Sequence, residues 1–64
     1  MKYPKIKVKL LGEDGNAFAI LGAVTSAMRK AKLEASEIKQ FRVEATAGDY
    51  DHLLRTCMEW VDVR

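Results

Sequence analysis

Asp49, Asp51 and His52 set two carboxylates beside an imidazole, the residue types of acid–base catalysis. Imidazole exchanges protons near neutral pH and a carboxylate can orient it. Cys57 lies five residues beyond His52, about 140° further round a helix, which argues against a Cys–His nucleophilic pair. The simpler reading makes Asp49 a helix cap, Asp51 a favourable charge at the helix's positive end, and His52 a surface or partly buried residue. His52 is then the one candidate acid–base group near neutrality.

A second cluster is Gly12-Glu13-Asp14-Gly15-Asn16, between an alternating run and a helical pattern. A glycine turn aimed at a helix start can cradle an anion with free backbone N–H groups. No Lys-Ser or Lys-Thr follows, however, and Glu13 with Asp14 would repel phosphate. The turn is therefore read as a structural reversal with Asn16 as the cap. Glu13, Asp14 and Asn16 could hold a divalent cation if Asp49 or Asp51 approached, but the spacing is not that of a calcium loop. No metal and no cofactor are expected.

The third cluster is Lys5, Lys7 and Lys9, with Tyr3 and the distant Trp60 as aromatic neighbours if the chain's two extended ends pair. Lysines beside aromatics suit single-stranded nucleic acid, since charges track phosphates and rings stack bases. Lysine on an edge strand also commonly serves to block edge-to-edge aggregation.

These residues must be held by a small number of elements. In Lys5-Ile6-Lys7-Val8-Lys9-Leu10 apolar and basic residues alternate, the mark of a half-buried strand with a basic outer face. From Asn16 to about Lys32, Phe18, Leu21, Val24, Thr25 and Met28 recur at helical spacing, flanked by Ile20, Ala27 and Ala31. Gly22 costs that helix about 1 kcal/mol relative to alanine, and a close crossing against another backbone would explain its use. Near Glu34 a second helix is expected, with Leu33 and Ile38 as a hydrophobic staple and Glu37 in a capping box. Residues 41–45 also alternate, but the helix formers around them favour helix. Gly48 should end that helix in a left-handed conformation, and Asp49 should start a third carrying Leu53, Leu54, Cys57, Met58 and Val61 inward. Trp60 to Arg64 then alternates as a short strand. The fold expected is α+β, one domain spanning residues 1–64 in the order β-α-α-α-β, with a two-stranded sheet packed on helices.

Sixty-four residues with 48% hydrophobic content suit a single core with a thin stability margin. The net charge of +2 conceals a gradient: the half up to Lys32 carries seven cations against two carboxylates, the other half four against seven. Such polarity can orient a partner. One cysteine cannot make an intrachain disulfide, and a reducing cytoplasm is the compartment expected. No apolar run reads as a signal peptide or membrane span. Trp60 is the residue nominated as an interface anchor, tryptophan being enriched at hot spots.

Through Gly12 to Gly22 (GEDGNAFAILG) and Gly48 to Leu54 (GDYDHLL), nearly the whole chain resembles a group of short uncharacterised bacterial and mobile-element proteins. The resemblance implies a self-standing bacterial cytoplasmic protein and brings no activity, cofactor or site residue with it. The function expected is contact with a protein, either a partner or a second copy in a homodimer. The alternative is a nucleic-acid-associated regulator using Lys5, Lys7 and Lys9. A small enzyme using His52 ranks third.

Overall fold

A computed structural model describes residues 1–10 and 16–64. The element order is β1 (Tyr3–Val8), α1 (Ala17–Lys30), α2 (Ala35–Ala45), α3 (Tyr50–Trp60) and β2 (Val61–Val63). The α+β order inferred from periodicity is the order observed. Residues 41–45 are helical, and the two strands pair, in parallel.

The sheet is small and irregular. Tyr3 sits opposite Val61, Lys7 opposite Asp62 and Val8 opposite Val63, so β1 advances four residues while β2 advances one. Pro4 falls in this bulge, where its missing N–H breaks no ladder bond. The bulge also changes the phase of the side chains. Tyr3 packs inward with Ile6 and Val8, while Lys5 and Lys7 stay outside. Backbone bonds from Lys2 N to Glu59 O and from Leu10 N to Arg64 O extend the pairing beyond the strand ends.

Two helix starts obey the capping logic. Asn16 Oδ1 accepts from Ala19 N at 3.0 Å, and Asp49 Oδ1 accepts from His52 N at 2.9 Å, each satisfying an orphan N–H of the first turn. At the α2 start Glu34 makes no side-chain cap, and Glu37 is not in a capping box. Its carboxylate instead accepts from the Tyr3 hydroxyl and faces Lys2 Nζ at 3.5 Å. A partner more than thirty residues away in sequence has displaced the local one.

The left-handed residue is Lys32 (φ 63°), not Gly48. Lys32 N bonds Arg29 O and Leu33 N bonds Met28 O, the paired bonds of a Schellman motif that closes α1. Glycine serves another purpose at position 48, where a Cβ would stand 2.9 Å from the Cβ and Cγ of His52. Its absence lets the imidazole fold back over the α2–α3 junction.

The core gathers Ile6 and Val8 from β1, Ile20, Val24 and Met28 from α1, Ile38 and Phe41 from α2, and Leu53, Cys57 and Trp60 from α3. Val61 completes it. Phe18 and Met58, expected inside, are 87% and 53% exposed. Phe18 lies about 200° from Ile20 on the same helix, so one stripe cannot bury both. The Thr25 and Thr56 hydroxyls are buried and donate to the carbonyls four residues earlier, Leu21 O and His52 O, both at 2.8 Å. No buried side-chain polar atom among the described residues lacks a partner. Among them, no helix is long and apolar enough to cross a membrane.

Candidate functional site

Trp60 occupies the end of α3, where the chain passes directly into β2. It is only 3% exposed. Phe41 meets it edge-on at 5.6 Å between ring centroids, Tyr3 lies 6.0 Å away, and Lys2 Nζ sits 4.1 Å over the indole. Its indole N–H donates to Glu44 Oε1 at 3.2 Å. Both faces and the polar edge are thus committed within the chain, which corrects the expectation of an interface anchor. Tyr3, its hydroxyl donating to Glu37, is half-buried and lines a surface depression with Lys2 and Lys5, whereas the buried Trp60 offers the lysines no base-stacking face.

Glu37 ties β1 to α2 electrostatically. The Tyr3 hydrogen bond holds its carboxyl below the ordinary value of 4.5; desolvation opposes it, and the Lys2 charge lowers it further. A carboxyl lowered in the fold stabilises it above its unfolded value, and that contribution is lost as pH falls through the lowered value. Glu37→Gln should therefore make stability less sensitive to acid. Urea midpoints at neutral pH and well below pH 4.5 check this, the wild type expected to lose more than the variant.

Lys5, Lys7 and Lys9 are all exposed, and none is in an ion pair among the described residues. Lys30 of α1 joins Lys5 and Lys7 around a shallow depression floored by Ile6, Ala27 and Ala31. The arrangement is a solvated basic edge with an added fourth charge.

His52 is exposed, with Nε2 2.8 Å from the Glu44 carbonyl, so that Nε2–H donates there. Thr56 Oγ1 lies 3.4 Å from the same nitrogen. No carboxylate among the described residues is hydrogen-bonded to the ring, and it lines none of the principal depressions of the surface. Cys57, fully buried, has its thiol pushed up to about 11 by desolvation and is no nucleophile at neutral pH. Most of the glycine turn, Gly12 to Gly15 with Glu13 and Asp14, lies outside the described residues. Within them, no group of three or more His, Cys, Asp or Glu side chains could hold a metal ion.

The surface that combines shape with chemistry is the groove between α1 and α2. The two helices form an antiparallel hairpin: Phe18 at the start of α1 shares a depression with Thr46, and Arg29 near its end shares one with Ala35. Both depressions are also lined by Arg42, so they form one trough along the hairpin. Arg29 and Arg42 line both depressions, beside Phe18 and Leu21 in one and beside Lys39 and Val43, itself 61% exposed, in the other. None of the three cations is in an ion pair among the described residues, and no carboxylate lines this trough.

Gly22 lies in the floor. Among the described residues, nothing beyond its immediate neighbours and the nearby backbone of its own helix comes within 4 Å of where its Cβ would be, so the expected close crossing against another described element is absent. Sequence reasoning missed Arg29, Lys39 and Arg42 as a group. The signal was available: 18, 22, 25 and 29 on one helix, and 35, 39, 42 and 46 on the other, fall at three- and four-residue spacing. Assigning Phe18 to the core concealed it. Comparison of the chain with protein-family models, curated proteins and solved structures returned no match.

Proposed function

We propose that the protein is a non-enzymatic module acting through protein–protein contact, with the α1–α2 groove as its working surface. The observation that carries this reading is a trough joining exposed apolar side chains to three cations, none in an ion pair among the described residues. Exposed apolar groups bordered by polar ones are a recurrent mark of contact sites. A photo-crosslinking residue at position 43, in cells that make the protein, is expected to capture a protein, whereas the same residue at Arg55 on α3 should not. An adduct of twice the protein's mass would assign the groove to a second copy. No adduct at 43, or equal capture at 55, would overturn the proposal.

A second reading, nucleic-acid binding at Lys5, Lys7 and Lys9, is favoured by their joint exposure and by Lys30 beside them. It requires a single-stranded oligonucleotide to bind at low salt and to lose binding when the three lysines become glutamate.

A further inference from the structure

Resting on the groove as the contact surface, we infer that its occupant is an acidic amphipathic helix belonging to another protein. The trough runs the length of the fourteen-residue α1, about 20 Å, and is bounded by two antiparallel helices. That shape accepts a third helix laid along it, the mode in which an amphipathic helix places its apolar side chains in a groove.

Charge then selects the kind of helix. Arg29, Lys39 and Arg42 line the trough with no carboxylate among them, so a helix seated there must bring its own. Phe18 and Leu21, beside Arg29 and Arg42, call for an apolar anchor on the same helix. Gly22, without a Cβ and with nothing from another described element within 4 Å of where one would be, allows the incoming backbone to approach beside Arg29 and Arg42.

A second copy is a poor source of that helix. Among the described carboxylates, Glu37, Asp51 and Asp62 are in ion pairs, Glu44 accepts from Trp60 and Gln40, and Asp49 caps α3. Glu34, just before α2, and Glu59, in the last turn of α3, remain, one at each of two helices, so no helix among the described residues presents a free acidic stripe. A nucleic-acid strand would satisfy the cations and could stack a base on Phe18, but would leave Leu21 and Val43 without apolar cover.

The test titrates isotope-labelled protein with two end-blocked helical peptides of about 18 residues. Both share one leucine stripe, and they carry glutamate or lysine, respectively, at every charged position. The acidic peptide is expected to move the amide resonances of Gly22, Arg29 and Arg42 saturably, and to bind at least about tenfold more tightly than the basic one. The combined change Arg29→Glu and Arg42→Glu should reverse that order, with an unaltered circular dichroism spectrum because both residues are exposed.

An acidic peptide that gives no saturable shift, or binds no better than the basic one, overturns the inference. Tighter binding of a thymidine oligonucleotide at these amides overturns it in favour of nucleic acid. Concentration-dependent shifts of the same amides in the protein alone overturn it in favour of a second copy. Protein captured from position 43 together with failure of the acidic peptide would leave the contact surface standing and remove only the acidic helix; failure of both removes both.

Discussion

Trp60→Ala is expected to cost about 3–5 kcal/mol, the range for removing a large buried aromatic. A domain of this size has about 3–10 kcal/mol to lose, so much of the variant population should be unfolded at room temperature. The indole fills space between Phe41 and Tyr3, its nitrogen is satisfied by Glu44, and Lys2 lies over its face. Deletion therefore opens a cavity and removes the indole's bond to Glu44, which remains exposed and still accepts from Gln40. Trp60→Phe should retain the packing, lose the hydrogen bond and fall between the two. Urea unfolding followed by far-ultraviolet circular dichroism measures all three proteins. A Trp60→Ala variant as stable as the wild type would mean that the ring is not the centre of the core, and would reopen its candidacy as an interface anchor.

Two methionines provide the second expectation, because the same substitution should have opposite outcomes. Met28 is fully buried on α1, so Met28→Ala should cost about 2–5 kcal/mol. Met58 is half exposed on α3, so Met58→Ala should stay within about 0.5 kcal/mol of the wild type. Denaturant midpoints and slopes for the pair report directly on the rotation of each helix about its axis. Equal effects would contradict the packing.

Those methionines also show what the sequence could and could not disclose. Strand alternation at Ile6 and Val8, the caps Asn16 and Asp49, and the helical bias around Phe41 are local signals, and each matches the structure. Helical spacing names the stripes on a helix but not which one turns inward when two are apolar. On α1, Ile20, Val24 and Met28 won over Phe18; on α3, Leu53 and Cys57 won over Met58. Arbitration came from partners distant in sequence, such as Phe41 and Val61. Glu37 was lost to Tyr3 in the same manner, and Gly48 answers to a side chain four residues ahead rather than to its own backbone. The groove was hidden because it consists of what the core leaves over.

The pairing of Tyr3 with Val61 has a consequence for how the chain is made. Synthesis delivers β1 before the three helices and its strand partner after them. While the ribosome is still adding α3, Ile6 and Val8 have no ladder to join, and the Lys2 and Tyr3 side chains have no indole to cover. The helices can form as they emerge, since their bonds are local, but the sheet must wait for residues 61–63. Lysine at alternate positions can then guard a strand that stays unpaired until residues 61–63 have been added, which gives those charges a use during synthesis itself.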